Sequence, residues 1–366
     1  MRSRRIVTTS LLVLMLWTAP LLAPHPAPAV SAGPGVTVTT FATGLNNPHG
    51  MKFGPDGLLY VAEAGTGGTT PPPTDCTGPF SYFSGFTSRI SRIDAAGNRT
   101  TVSDGLPSAV DNFDGYWGVF DVAFVGQQLY ALFDGGSCVR GHPDFPPSVI
   151  RIDGQTGQPS IVADLMAYTV SHPTAVIEPD DYEPGGSWWN LIAVGDELYT
   201  VNPNVGDFVR VSQNGDIERV VDLSAQYGHN VPTALTYKGN FYIANLTAFF
   251  ATGLEPGSSN LFKITPSGNS KIARTGLSAV LGLAYDNRDR LYVLQASTTT
   301  GSFLGDPGEG GIVRVEPSGA ITPIVSGLDY PASITFGPDG DLYVTNNGFS
   351  LVSNENGSIL RIRIGK

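Results

Sequence analysis

The sequence is poor in charged residues and in cysteine. Of 366 residues, 14% are Asp, Glu, Lys or Arg, the net charge is -11, and there are 2 Cys. No basic cluster follows the first five residues, and an acidic surface repels phosphate groups. Nucleic acid is therefore excluded as a partner, and much of the surface must consist of uncharged polar residues, Gly and Pro.

The chain also lacks an apolar run long enough to cross a bilayer. The run Leu11–Trp17 is short, follows three arginines and precedes a small-residue cleavage pattern at Val30–Ala32, as in an export signal. Residues 1–32 are predicted to be a signal peptide, and residues 33–366 to be secreted and not membrane-spanning. Both the general and the twin-arginine export routes stay open, because Ser3–Val7 matches only half of the twin-arginine pattern.

The two cysteines, Cys76 and Cys138, suit an oxidising compartment and a single disulfide. The alternative is two unrelated thiols. Both cysteines fall in the equivalent loop of consecutive sequence repeats, described next, which favours the disulfide.

Glycine and proline are abundant, with 45 and 28 residues, and several of them occur at the turns of a sequence repeat. GLNNPHGMKFGPDGLLYVAEAG at Gly44–Gly65 returns as GLDYPASITFGPDGDLYVTNNG at Gly327–Gly348. Each copy reads as a strand, a Pro-Asp-Gly turn and a second strand, because Asp and Gly tolerate the positive φ of a tight hairpin. Hairpins repeated at long, fairly even spacing indicate a propeller.

The chain holds six copies of this hairpin. The second strand of each copy carries an anchoring tyrosine: Tyr60, Tyr130, Tyr199, Tyr242, Tyr292 and Tyr343. A third strand with a central cation follows each one: Arg92, Arg151, Arg210, Lys263, Arg314 and Arg361. The last copy has no fourth strand, whereas Val36–Phe41 forms a spare strand before the first copy. We therefore predict an all-β chain, one six-bladed β-propeller closed by an N-terminal strand that completes the last blade.

Three insertions lengthen the first copies, at Gly65–Ser88, Asp134–Ser148 and Met166–Ser187. In a propeller, all three connections emerge from the same face. Loops held by a rigid scaffold commonly carry function, so this face is the predicted binding face.

The repeat resembles a known family. The order GLxxPxGxxFGPDGxLYVAExG, the strand ISRID at Ile90–Asp94, the Cys in the first insertion and the closing Asn346–Gly348 resemble the ScyD/ScyE family of exported six-bladed propellers. The resemblance covers nearly all of residues 33–366 and departs from the family pattern at residues 178–190. The resemblance implies the propeller fold but says very little about a biochemical activity. More distantly, the chain is similar to NHL-repeat and gluconolactonase/strictosidine-synthase propellers.

A ring of polar residues is predicted three positions after the anchoring tyrosines, where the second strands end. It consists of Glu63, Phe133 followed by Asp134, Asn202, Asn245, Gln295 and Asn346. Oxygen ligands at one mouth of the channel could converge on Ca²⁺. The alternative is that these side chains bond their own backbone to start a loop.

A second ring is predicted at the start of the innermost strands: His49, Phe120, Trp189, Thr233, Leu281 and Ala332. These residues cannot form a cage for a hard cation, so the metal site that lactonase propellers place near this level is not carried over. The next positions are Gly50, Asp121, Asn190, Ala234, Gly282 and Ser333. With one carboxylate among them, they suggest at most a weakly held ion or an ordered water.

Two further groups are candidates for ligand contact. Trp188 and Trp189 could stack on a planar ligand, or they could pack between blades. His49 and His229 precede innermost strands at the mouth, but no nucleophile motif accompanies them. The acidic residues near Glu178 are taken as a solvated loop.

The leading hypothesis is an exported binding or scaffold protein whose loop-rich face contacts a small molecule, a glycan or a protein. Its tentative ligand-binding residues are His49, Glu63, Asp121, Trp188, Trp189, Asn190, Asn202, His229, Asn245 and Asn346. The alternative is a metal-assisted hydrolase or lyase with Glu63, Asp121, Asn202 and Asn245 at the channel mouth, for which Ca²⁺ is the candidate metal. No other cofactor is predicted. A purely structural module of a larger assembly is the third hypothesis.

Overall fold

The computed structural model describes residues 29–76, 78, 80–112, 115–177, 187–246, 248–249, 253–299, 306–348 and 357–365. Residues 1–28 of the predicted signal peptide and the acidic residues near Glu178 lie outside these ranges. The described chain is almost entirely β-structure, with two short helices. None of its helices has the length and apolar character needed to cross a membrane.

The strands are, in chain order, β1 (Ser31–Ala32), β2 (Val36–Leu45), β3 (Pro48–Phe53), β4 (Leu59–Glu63), β5 (Tyr82–Ile93), β6 (Arg99–Asp111), β7 (Tyr116–Trp117), β8 (Val119–Val125), β9 (Gln128–Phe133), β10 (Ser148–Ile152), β11 (Pro159–Asp164), β12 (Trp189–Val194), β13 (Glu197–Asn202), β14 (Asp207–Val211), β15 (Ile217–Asp222), β16 (Pro232–Tyr237), β17 (Phe241–Asn245), β18 (Ala248–Phe249), β19 (Gly253–Leu254), β20 (Ser259–Ile264), β21 (Ser270–Leu277), β22 (Val280–Tyr285), β23 (Leu291–Gln295), β24 (Gly310–Val315), β25 (Ile321–Leu328), β26 (Ile334–Phe336), β27 (Leu342–Asn346) and β28 (Gly357–Ile364). Helix α1 is Leu165–Ser171 and helix α2 is Ser224–Tyr227.

Six antiparallel sheets form a ring, the six-bladed β-propeller that the repeats predict. In blade order the sheets are β3-β4-β5-β6-β7, β8-β9-β10-β11, β12-β13-β14-β15, β16-β17-β20-β21, β22-β23-β24-β25-β1 and β26-β27-β28-β2. The first strand of each blade lines the central channel. We call the end where first strands begin the loop face, and the end with the hairpins between first and second strands the hairpin face.

The ring closes as predicted. Strand β2 pairs with β28, with Val36 opposite Ile364 and Val38 opposite Ile362, so the N-terminal segment supplies the missing strand of the last blade. Closure protects the edges that the first and last blades of an open array would expose. Ser31–Ala32, which the sequence assigns to the signal peptide, adds a short strand to β25.

The repeated residues occupy equivalent positions in every blade. Each anchoring tyrosine lies directly opposite the cation of its third strand, from Tyr60 opposite Arg92 to Tyr343 opposite Arg361. In the first and last blades the tyrosine hydroxyl also donates to the turn aspartate, over 3.0 Å to Asp56 and 2.9 Å to Asp339. This contact fixes the hairpin turn on the cross-strand pair beside it.

The core lies between neighbouring blades. Leu, Val, Ile and aromatic side chains from adjacent sheets pack together, and the largest cluster includes buried residues from all six blades. Adjacent blades therefore depend on one another for burial of their apolar faces.

The predicted disulfide is confirmed. Cys76 and Cys138 are bonded, with their Cα atoms 5.4 Å apart and a sequence separation of 62. The bond joins loops of the first and second blades on the loop face, which is consistent with an oxidising compartment.

Candidate functional site

Three aromatic rings close the loop-face end of the channel. His49 stacks on Phe120 with ring centroids 4.3 Å apart, and Trp189 lies 5.0 Å from Phe120 and 5.2 Å from His49. The three side chains are at most 9% exposed and start the first strands of blades one, two and three. The second predicted ring is thus an aromatic seal on one side of the channel.

A polar level lies directly beneath this seal. Asp121, Asn190, Gly50 and Ser333 line a cavity of about 10 Å³ there, together with the aromatic residues above. That is close to the room needed for one water molecule. Glycine is required at position 50, because a Cβ there would lie 1.9 Å from Asp121 Oδ1.

Burial shifts the pKa of His49 in the seal and the pKa of Asp121 beneath it in opposite directions. It raises the pKa of Asp121 to about 6, against a smaller lowering by the charge of Lys52 and by backbone hydrogen bonds. It lowers the pKa of His49 to about 3. At neutral pH the imidazole is therefore neutral and the carboxylate is ionised. Asp121 accepts from the backbone N–H of Leu191 over 2.7 Å and of Val122 over 2.9 Å.

The first predicted ring lies at the ends of the second strands, where its side chains bond the backbone. In three blades the side chain accepts from the N–H seventeen residues earlier: Asn46 to Glu63 over 2.7 Å, Ser278 to Gln295 over 3.0 Å, and Asp329 to Asn346 over 2.9 Å. These bonds hold the chain segment that leads into the first strand of the same blade. These contacts are structural, but they differ from the local loop-starting bond predicted as the alternative, which among the described members of this ring only Asn202 makes, to the N–H of Asn204.

The remaining members of this ring have comparable contacts. Asn245 accepts from the N–H of Asn260 over 2.6 Å, and Asn202 accepts from the N–H of Asn204 over 3.1 Å. Glu63, fully buried, also accepts from Ser91 and forms ion pairs of 3.3 Å with two arginines, Arg89 and Arg99.

We tested these residues against the needs of Ca²⁺, which takes six to eight oxygen ligands. Asp121 lines the channel cavity, whereas Glu63, Asn202 and Asn245 do not. Within the described ranges, no three His, Cys, Asp or Glu side chains are gathered closely enough to hold a metal. The four candidates do not form one calcium cage, and Ca²⁺ binding stays a prediction.

Trp188 and His229 lie apart from the channel cavity. Trp188 is fully buried in the interblade core, and its backbone N–H donates to Asp134 Oδ2 over 3.1 Å. Packing between blades, the alternative given for the tryptophans, accounts for its position. Of the sequence candidates, the structure brings together His49, Asp121, Trp189 and Asn190.

A second feature of the loop face was missed by the sequence reasoning. Strand β5 pairs with β4 only from Arg89 onward, so residues 82–88 extend beyond β4 and pair with residues 106–111 of β6 as a two-stranded ribbon. The sequence placed residues 65–88 in an insertion, and their last seven residues are instead strand. The three aromatic residues within the five positions of YFSGF, at Tyr82, Phe83 and Phe86, were the available signal, because aromatic residues are enriched in strands.

The loops of the second blade support this ribbon. Arg140, 2% exposed, pairs with Asp134 over 3.1 Å, and its guanidinium lies 3.9 Å from the centre of the Trp117 ring. His142 Nε2 lies 3.1 Å from the carbonyl oxygen of Ser108 on β6. With the nearby disulfide, these contacts fix the two insertions to each other.

Three phenylalanines are exposed on this joined structure. Phe83 is 45% exposed, Phe86 61% and Phe145 37%. Phe86 also packs edge-on against His142, with ring centroids 4.8 Å apart. We call Phe83, Phe86 and Phe145 the phenylalanine patch.

The fold resembles solved β-propellers. A candidate glucose dehydrogenase from Thermus thermophilus is 18% identical with a TM-score of 0.56, covering 90% of this chain and 100% of that chain. A gluconolactonase from Xanthomonas campestris is 11% identical with a TM-score of 0.54, covering 93% and 99%. A PQQ-bound aldose sugar dehydrogenase from Streptomyces coelicolor is 16% identical with a TM-score of 0.50, covering 91% and 99%.

At these identities the likeness establishes the six-bladed fold and no activity. A scan of protein-family models and a search of curated proteins found no match.

Proposed function

We propose that the chain is an exported binding protein of the ScyD/ScyE type that docks a protein partner on its loop face. The phenylalanine patch is the observation that carries this proposal. Exposed aromatic side chains are typical of interaction surfaces, where their burial excludes water, and these three lie on the loop-face insertions of blades one and two. The disulfide supports export, and the resemblance of the repeats supports the family.

A protein partner fits this face better than a small molecule does. The patch lies on the β5–β6 ribbon and a neighbouring loop, and the cavity at the loop-face end of the channel has room for about one water molecule. The contacts of Arg140, His142 and the disulfide hold the patch in place, so little conformational entropy is lost when a partner binds.

The test compares partner recovery by two double variants of the full chain. F83S/F86S removes two of the three rings of the patch, whereas the matched control I161S/I272S removes two side chains that are 46% and 44% exposed on outer strands β11 and β21. Each variant is cross-linked in its native extracellular fraction, and stoichiometric partners are quantified by mass spectrometry.

We expect F83S/F86S to reduce recovery of one partner by about 10-fold, the effect of losing roughly 1.4 kcal/mol of binding free energy. The control should leave recovery unchanged. Equal recovery by wild type and F83S/F86S would contradict the proposal, as would a planar small molecule that co-purifies with both.

The metal-assisted hydrolase or lyase is the second candidate. One observation favours it: Asn190 Oδ1 is buried beside Asp121 and has no hydrogen-bond partner among the described residues. Elemental analysis of native protein, and a thermal shift on adding Ca²⁺ that D121N abolishes, would support it. Metal-free protein with no such shift would contradict it.

A further inference from the structure

A larger cavity opens at the opposite end of the channel, on the hairpin face. Its volume is about 530 Å³, within the range of small-molecule sites. Blades one to four supply its lining: Lys52, Phe53, Ala123, Phe124, Ile192, Ala193, Val194, Gly195, Thr236 and Tyr237. Most of these side chains are apolar, and several are aromatic.

One structurally equivalent position in each blade defines the wall of the channel here. The residue opposite each anchoring tyrosine is Lys52, Ala123, Ile192, Thr236, Ala284 or Thr335. Four of the six line the cavity, and one of the six is charged. Five of these equivalent positions thus hold an uncharged residue, and the position in blade one holds a cation, Lys52.

The cavity is reached from the hairpin face. Toward the loop face, the channel narrows at the level of Asp121 to a space of about 10 Å³ beneath the aromatic seal. The two cavities share no lining residue among those described. A molecule larger than water therefore enters and leaves the wider cavity at one end.

No carboxylate of the described residues holds Lys52 in an ion pair. Its charge acts on Asp121, yet no ion pair within 4 Å joins Lys52 to any described acidic group. Asp121 already accepts two backbone hydrogen bonds, from Leu191 and Val122. If the Lys52 ammonium only compensated the charge of Asp121, much of its capacity to donate hydrogen bonds would be unused.

We propose that this cavity binds a small amphipathic anion, with the anionic group on Lys52 and the apolar body against Phe124, Ile192 and Val194. A charge-assisted hydrogen bond to the ammonium orients the ligand, and burial of its apolar body supplies most of the affinity. The hydroxyl groups of Thr236 and Tyr237 add polar contacts at the rim. The site is independent of the phenylalanine patch, which lies on the other face.

The experiment uses two fluorescent probes with nearly the same aromatic rings. One is 8-anilinonaphthalene-1-sulfonate, which carries an anionic group, and the other is N-phenyl-1-naphthylamine, which is neutral. Both are titrated into the full chain and into K52Q. The control variant K238Q removes a lysine that is exposed on the same face and paired with Asp289. A second control, F83S/F86S, removes the apolar surface of the loop face.

We expect K52Q to weaken sulfonate binding by about 10-fold and to change binding of the neutral probe less than 2-fold, since one charge-assisted hydrogen bond is lost. K238Q and F83S/F86S should leave both affinities unchanged. T236F, which fills the cavity, should abolish both signals while its circular dichroism stays native. Unchanged sulfonate binding by K52Q would overturn the proposal, and so would loss of both probes in F83S/F86S.

Discussion

The two ends of the central channel are built from the same six strands but differ in nearly every physical property. At the loop face, His49, Phe120 and Trp189 pack into a buried aromatic seal. At the hairpin face, the same strands end around an open cavity of about 530 Å³. The backbone repeat thus determines where a site can form, and a few side chains decide which end is filled.

The difference follows from the residue types at equivalent positions of the six first strands. The aromatic residues lie at the start of the first strands of blades one to three, whereas the equivalent positions of blades four to six hold Thr233, Leu281 and, just before β26, Ala332. The three rings of blades one to three contact one another, whereas the equivalent positions of blades four to six hold a small or aliphatic side chain. Farther along the same strands, lysine, alanine and threonine leave the space empty.

Replacing Trp189 with Ala should be the most damaging change at either end. The side chain is 9% exposed and packs in the main core cluster, so its loss leaves a cavity and costs about 3–5 kcal/mol of unfolding free energy. Urea unfolding of the full chain measures this cost.

The matched control is F124A at the hairpin end, where the aromatic ring is half-buried and faces the open cavity. A loss of about 1–2 kcal/mol is expected, because less surface leaves contact with the core. Equal losses for the two variants would mean that the ends do not differ in packing.

The second prediction concerns the change in stability at low pH, which distinguishes His49 in the seal from Asp121 in the polar level beneath it. The folded pKa of His49, about 3, is depressed below the unfolded value, so its contribution to stability is present above pH 6.5 and is lost as the pH falls. Between pH 7 and pH 5 this loss amounts to roughly 2 kcal/mol.

H49F keeps an aromatic ring against Phe120 but has no proton to bind. Its unfolding free energy should therefore not fall from pH 7 to pH 5 as a result of this site, and urea unfolding at the two pH values measures the difference. A variant as acid-sensitive as the wild type would show that His49 is not buried in its neutral form.

Much of the fold could be predicted from the sequence because its signals are local and repeated. A Pro-Asp-Gly turn constrains its own backbone, so the hairpins were recognisable, and the pairing of Tyr60 with Arg92 recurs in every blade. The closing strand could be placed because one copy was a strand short. The disulfide followed from the equivalence of two loops.

The site could be predicted only in part, because it depends on contacts between blades. The structure brings His49, Asp121, Trp189 and Asn190 together at one cavity, and their equivalent repeat positions made this proximity predictable. That the rings would touch depends on their rotamers, which the repeat does not specify. The sequence gives no signal for the position of Lys52 in a cavity, because the space around it is made by three other blades.

Asp121 gives the smallest predicted effect, opposite in sign to that of His49. Its folded pKa of about 6 is raised above the unfolded value, so its protonation stabilises the folded chain below the unfolded pKa, and this stability is lost as the pH rises through 6. From pH 7 to pH 5 the wild type should gain about 1 kcal/mol from this group, partly offsetting the loss from His49. D121N lacks the compensation and should lose more stability than the wild type over that interval, as measured by urea unfolding at both pH values.

Because the amide oxygen can still accept from the backbone N–H of Leu191, the variant isolates the charge from the hydrogen bond. An unchanged pH dependence in D121N would place the carboxylate in solvent contact and would remove the buried polar level that separates the sealed end of the channel from the open one.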